Sequence, residues 1–124
     1  MDILLVDDDE AIRRVMGRML AERGHGLKLA ASGREALRCM EEALPDLVIS
    51  DVQMPGMGGI EFLREAGGRF PETPVVLMTA LGEVGETDAA FQYGANGYLQ
   101  KPIKAEALLA GIRRLEERLM EENC

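Results

Sequence analysis

Apolar residues are distributed along this chain in two alternating patterns. Near-continuous apolar runs, Ile3-Leu4-Leu5-Val6, Leu47-Val48-Ile49 and Val75-Val76-Leu77-Met78, are separated by longer stretches in which apolar residues recur every three or four positions. The first pattern suits strands covered on both faces of a parallel sheet, and the second suits helices buried along one stripe. A first strand is predicted over Asp2 to Val6. A helix follows from about Glu10 to Arg23, with Ile12, Val15, Met16, Met19 and Leu20 on its inward face and Gly24 ending it. Leu27 to Ala31 reads as a shorter second strand. Ser32 and Glu35 then form a capping box, in which each side chain satisfies an orphan amide at the helix start. This second helix carries Ala36, Leu37 and Met40 and ends before Pro45.

The third strand is predicted over Leu47 to Ser50, which puts Asp51 just past its end. A glycine-rich loop, Met54-Pro55-Gly56-Met57-Gly58-Gly59, leads into a helix bearing Ile60, Phe62 and Leu63. Pro71 and Pro74 bracket the turn into a fourth strand that Thr79 closes. Gly82 and Gly85 would each cost roughly 1 kcal/mol relative to alanine inside a helix. The fourth helix is therefore predicted to start near Glu86 and to end before Gly94. Gly97 to Gln100 is the fifth strand. The last helix runs from about Ala105 to Met120, with Leu108, Ile112, Leu115 and Leu119 as its stripe. Five β-α units with right-handed crossovers give an α/β fold, a three-layer α/β/α sandwich, as a single domain over residues 1–124.

Composition narrows the function classes. Acidic residues number 22 against 14 basic ones, for a formal net charge of -8. Nucleic acid needs a cationic footprint, so direct binding to it is not expected. The apolar runs are strand length, short of the roughly 20 residues that cross a bilayer, so no membrane role is expected. No charged-then-apolar leader opens the chain. Cys39 and Cys124 show no metal-type spacing and read as reduced thiols, which fits a cytoplasmic protein. His25, the only histidine, lies in a glycine-flanked turn and is expected to be exposed.

The chemistry gathers at the strand ends. In a parallel sheet with helical crossovers, Asp7 and Asp8, Asp51, Thr79 and Lys101 all follow or close strands that open onto one edge. Ligands of open α/β sheets bind at that edge. Three carboxylates in one cleft repel, and each raises the others' pKa. A divalent cation removes that cost, and with only oxygen ligands on offer a hard metal such as Mg²⁺ is expected. A carboxylate can attack phosphorus to give an aspartyl-phosphate. Lys101 and the metal would neutralise the transferred group, and the Thr79 hydroxyl would hydrogen-bond it. Taken singly, each residue has a blander role: a helix cap for an aspartate, a strand former for Thr79, a solvated surface charge for Lys101. Their joint placement favours the chemical reading. Asp9 and Glu10 are better explained as first-turn residues that complement the helix dipole.

Four segments carry a resemblance over nearly the whole length: Ile3-Leu4-Leu5-Val6-Asp7-Asp8-Asp9-Glu10, Asp46 to Gly56, Val76-Leu77-Met78-Thr79-Ala80, and Gly94 to Pro102. Together they resemble the receiver domain of bacterial two-component response regulators. The resemblance implies a flavodoxin-like fold, with a five-stranded parallel sheet of order 2-1-3-4-5. It implies that Asp51 accepts a phosphoryl group from a sensor histidine kinase or phosphotransfer protein. Asp8 would then bind Mg²⁺ directly, Asp7 mainly through water, and Gln53 through its backbone carbonyl. Thr79 and Tyr98 match the switch residues, and Lys101 the family's lysine. The Lys101–Pro102 bond is expected to be cis. The output would pass through the face formed by the fourth helix, fifth strand and last helix, to a downstream effector domain or protein or to a homodimer partner. The family often carries aspartate where this chain has Gly58, which predicts a less specific helix cap and a looser loop after Asp51.

The favoured reading is a phosphoacceptor switch rather than an enzyme. Three rivals remain. A small aspartate-nucleophile phosphatase would use Asp7-Asp8-Asp9, but its usual pattern wants threonine or valine at position 11, which is Ala11, and a cap domain. A flavin carrier would need a hydroxyl- and glycine-rich phosphate loop where this chain places carboxylates. A degenerate receiver would bind partners without phosphorylation, against the complete set of acidic residues, hydroxyl and lysine.

Overall fold

The computed structural model describes residues 1–54, 56–80 and 94–122. The helix expected from Glu86, with Gly82 and Gly85, lies outside the described residues. Five strands, β1 (Asp2–Val6), β2 (Gly26–Ala30), β3 (Leu47–Asp51), β4 (Val75–Thr79) and β5 (Gly97–Gln100), form one parallel sheet in the order β2-β1-β3-β4-β5. Helices α1 (Glu10–Glu22), α2 (Gly33–Glu42), α3 (Gly59–Arg69) and a C-terminal helix (Ala105–Glu122) cover its two faces. This is the α/β/α sandwich that the strand and helix pattern predicts, with the flavodoxin-like strand order that the resemblance implies.

The alternation of side chains along each strand builds two cores. Leu4, Val6, Val48, Val75 and Leu77 face the cluster that takes Leu37 and Met40 from α2 and Phe62 and Leu63 from α3. Ile3, Leu5, Leu47, Ile49, Val76 and Met78 face the other, with Met16 and Leu20 from α1 and Leu108, Ile112 and Leu115 from the C-terminal helix. Strands apolar at every position thus feed both sides of the sheet, the arrangement their sequence implied.

Local signals fix the helix starts. Asp9 caps α1 by accepting from the amides of Ala11 and Ile12. Ser32 Oγ accepts from the Glu35 amide, and Glu35 reaches back to the Ala31 amide, closing the capping box one residue earlier than the usual form. Gly24 follows α1 with φ +85°, a left-handed conformation suited to glycine.

Several expectations are corrected. β3 extends through Asp51, so this residue ends the strand instead of following it. β2 is Gly26–Ala30, one residue earlier than expected, and the last helix reaches Glu122. Val15 is 58% exposed, because it sits at the edge of the α1 stripe beyond reach of the sheet. His25 is not exposed: 9% of its side chain is accessible, since its Nδ1 lies 3.0 Å from the Met1 amino group and its Nε2 3.9 Å from Glu116 of the C-terminal helix. The glycine-flanked turn folds beneath that helix, which the local sequence did not reveal. The Lys101–Pro102 bond is cis, as expected.

Candidate metal and phosphoryl site

The strand order reverses direction between β1 and β3, and the crevice outside their carboxyl ends is the natural ligand site of such a sheet. β1 delivers Asp7 and Asp8 there, and β3 delivers Asp51. One carboxylate oxygen from each of the three lies within 4.8 Å of the other two. Sequence reasoning placed these groups together, and the structure does so.

Asp7 is fully buried. Its amide donates to the Ala30 carbonyl at 3.1 Å, its Oδ1 accepts from the Asp9 amide at 2.9 Å, and its Oδ2 lies 3.4 Å from Lys101 Nζ. Asp8 is exposed, and its carboxylate makes no hydrogen bond among the described residues. Asp51 is buried; its Oδ1 accepts from the Gln53 amide at 3.2 Å and its Oδ2 lies 3.0 Å from Lys101 Nζ. Ser50 Oγ donates to the Asp51 carbonyl at 3.1 Å. Lys101 therefore bridges Asp7 and Asp51. Its own amide donates to the Thr79 carbonyl at 2.7 Å, which ties the start of the loop after β5 to the end of β4.

Thr79 is buried at the end of β4, one residue past Met78, the register partner of Asp51. Tyr98 pairs in register with Leu77 and is half-buried against the core cluster on the α2 and α3 face. Gln53 follows Asp51 in the loop and is exposed.

Burial raises the Asp7 pKa above its ordinary value of 3.8; the Asp9 amide opposes the rise, the charge of Asp51 adds to it, and Lys101 lowers it. Of the repulsion read from the sequence, the push of the Asp51 charge on Asp7 is present but secondary to burial. Burial alone would lower Lys101, but the hydrogen bond and charge of Asp51, followed by those of Asp7, hold it above its ordinary value of 10.5. Lys101 is thus a firm ammonium at neutral pH.

Counted formally, the three carboxylates and one ammonium give the cleft a net charge of −2. One divalent cation balances that charge. All-oxygen donors, one of them exposed and unengaged, fit a hard ion that keeps part of its water shell. The residues present therefore fit a metal ion, with Asp7, Asp8 and Asp51 as its acidic ligands.

Two supporting residues escaped the sequence reading. Arg13 Nη1 donates to the Asp7 carbonyl at 2.6 Å. Gly59 reads in the sequence as one more residue of the glycine-rich loop. A Cβ on it would lie 2.3 Å from the Asp51 carbonyl oxygen and 2.7 Å from Val52 Cα, so the start of α3 rests directly on the backbone of Asp51. The glycine run hinted at Gly59; nothing in the periodicity singled out Arg13, which reads as one more polar helix residue.

Comparison with known proteins agrees with this picture. A family model described as the response regulator receiver domain matches residues 3–113. Response regulator MprA of Mycolicibacterium vanbaalenii is 40% identical over 116 residues, covering 94% of this chain and 50% of that protein. MprA of Mycobacterium tuberculosis is 39% identical over 122 residues, covering 98% and 53%. The chain thus spans about half the length of the curated relatives it matches. Among solved structures, a receiver domain protein from Clostridium thermocellum superposes with a TM-score of 0.90 at 31% identity, covering 96% of each chain. The receiver domain of NtrX from Brucella abortus gives 0.89 at 32% identity, covering 94% of this chain and 98% of that one. The chemotaxis response regulator CheY4 of Vibrio cholerae gives 0.85 at 34% identity, covering 92% and 97%.

Proposed function

Since this chain belongs to the response regulator receiver family of two-component signalling, we propose that residues 1–124 form one receiver unit and that Asp51 is its phosphoacceptor. The observation that carries this reading is the shared ammonium. Lys101 Nζ stands 3.0 Å from Asp51 and 3.4 Å from Asp7, at the edge where the sheet opens. That arrangement orients a carboxylate nucleophile and supplies fixed positive charge for a phosphoryl group in transit.

The donor is a sensor histidine kinase or a phosphotransfer protein. An Asp51 carboxylate oxygen attacks the phosphorus in line, the new O–P bond forms, and the P–N bond to the donor imidazole breaks, returning the electron pair to nitrogen. Lys101 holds the Asp51 carboxylate during the approach. The Thr79 hydroxyl accepts the task of hydrogen-bonding a phosphoryl oxygen once the adduct exists. Mg²⁺, held by Asp7, Asp8, Asp51 and the Gln53 carbonyl, would supply the remaining charge neutralisation when bound.

Switching follows from differential contact. Thr79 drawn toward the phosphoryl group leaves room for Tyr98 to turn inward, which favours one of two pre-existing states. The altered face around β5 and the C-terminal helix then engages a downstream effector domain or protein, or a second copy of the chain. Turnover of the adduct is incidental to this role, which is that of a switch and not of an enzyme, working in the cytoplasm.

Incubation with Mg²⁺ and a small acyl phosphate, followed by intact mass measurement, tests the acceptor. The parent should gain one phosphoryl group and Asp51→Asn none, because an amide is no competent nucleophile here. A fully phosphorylated Asp51→Asn variant would move the acceptor elsewhere.

A further inference from the structure

The turn that carries Asp8 is fastened at both ends. Before it, the Asp7 amide is bonded to Ala30 of β2 and the Asp7 side chain accepts from the Asp9 amide. After it, Asp9 caps α1, and the Arg13 amide donates to the Asp9 carbonyl at 3.1 Å. Between these anchors lies one peptide group, the Asp7 carbonyl with the Asp8 amide. Its orientation decides where the Asp8 carboxylate points. The Asp7 carbonyl is the acceptor at 2.6 Å from Arg13 Nη1. Arg13 is half-buried on the first turn and a half of α1, six residues beyond Asp7.

Resting on the metal reading above, we propose that Arg13 is a positioning residue for the metal site: it fixes the Asp7–Asp8 peptide plane, so that Asp8 presents its carboxylate without having to be ordered by the ion. The physical argument is preorganisation. A guanidinium-to-carbonyl hydrogen bond is charge-assisted and directional, and the planar group resists rotation better than an ammonium. Asp8 itself is exposed, with no side-chain hydrogen bond to another described residue, so among these residues the backbone sets the direction of its Cα–Cβ bond. A ligand whose supporting group is lost must be ordered at the moment of binding, and such losses typically weaken metal affinity by about 10- to 100-fold.

Position decides the effect, and charge does not. Arg14 is the adjacent residue with the same charge, but it is exposed and, among the described residues, pairs only with Glu10 at 3.2 Å. It is therefore a charge-matched control that touches nothing in the site.

The experiment titrates Mg²⁺ into the parent, Asp8→Asn, Arg13→Gln, Arg13→Lys and Arg14→Gln, reading amide chemical shifts after each variant's fold is verified by amide dispersion. The parent should bind and Asp8→Asn should lose binding. Arg13→Gln should bind about tenfold more weakly, Arg13→Lys should recover part of that loss, and Arg14→Gln should stay within about twofold of the parent. With a small acyl phosphate, Arg13→Gln should need more Mg²⁺ for half-maximal phosphorylation yet approach the parent rate at saturating Mg²⁺. Should Arg13→Gln fail to fold, Arg13→Met, which keeps the apolar stem and removes the donor, takes its place with the same expected loss and the same overturning outcome. A parent that takes up no Mg²⁺ overturns the metal reading and this inference with it. A parent that binds, alongside an Arg13→Gln variant that binds equally well or loses no more than Arg14→Gln, overturns the inference alone.

Discussion

Asp7 is the carboxylate on which the electrostatics of the site turn. Its folded pKa lies above 3.8, chiefly because it is buried. A carboxyl whose folded pKa is raised contributes stability that is complete below its unfolded pKa and is lost as pH climbs through the folded one. The metal-free protein should therefore lose stability from Asp7 as pH rises upward from 3.8. Asp7→Asn keeps an oxygen for the Asp9 amide and removes the titration. The thermal midpoint of that variant, relative to the parent without Mg²⁺, should improve as pH rises from 3.8 through the raised folded pKa of Asp7. A constant gap across that range would remove burial of Asp7 as a source of strain. At this scale the sequence showed the reacting groups well, because carboxylates, hydroxyl and lysine at strand ends announce themselves by type and position. It did not show their rank. Which of two adjacent aspartates is buried depends on the helix packed over the turn, and residue order carries no trace of that.

Elements were legible wherever periodicity was strong. The apolar runs of β1, β3 and β4, the capping box of α2 and the stripe of α1 can be read with boundaries within about two residues, the usual uncertainty of helix ends. The loop from Met54 to α3 was harder, because glycine has two meanings. At Gly58 it is a matter of capping. This residue caps α3 with φ −73° and no side-chain bond, and an added Cβ would meet only the Val52 carbonyl at 3.5 Å. At Gly59 it is a matter of space, with backbone atoms 2.3 and 2.7 Å from an added Cβ. The two positions should respond oppositely. Gly58→Asp supplies a cap and a favourable charge at the helix N-terminus and should stabilise by about 0.5 kcal/mol. Gly59→Ala should destabilise by about 2 kcal/mol, since neighbouring backbone must move. Urea midpoints at unchanged slope measure both. Equal effects would mean that the loop yields more readily than its close approach to Asp51 suggests. His25 is the converse case: a turn that looked solvent-facing is covered by a helix nearly a hundred residues away in sequence.

At the scale of the whole molecule, the switch proposal demands that modification and response be separable. Thr79→Ala should accept the phosphoryl group from a small donor, because Asp51 and Lys101 are untouched, yet fail to convert the β5 face. Amide shifts of Gly97 to Gln100 and of the C-terminal helix should change on phosphorylation of the parent and change much less in this variant. Identical changes in both would break the link from hydroxyl to Tyr98. The two-core construction of the sheet has its own outcome. Because side chains from one face never meet those of the other, the sheet is a partition wall, and a void opened on one side has no neighbour on the far side to relax into it. Val48→Ala on the α2 and α3 side and Ile112→Val on the C-terminal helix side belong to different clusters. Their individual costs, about 2.5 and about 1 kcal/mol, should sum in the double variant to within about 0.5 kcal/mol. The protein then tolerates drift in one compartment without compensation in the other, so the two halves of its interior are free to vary as separate inheritances.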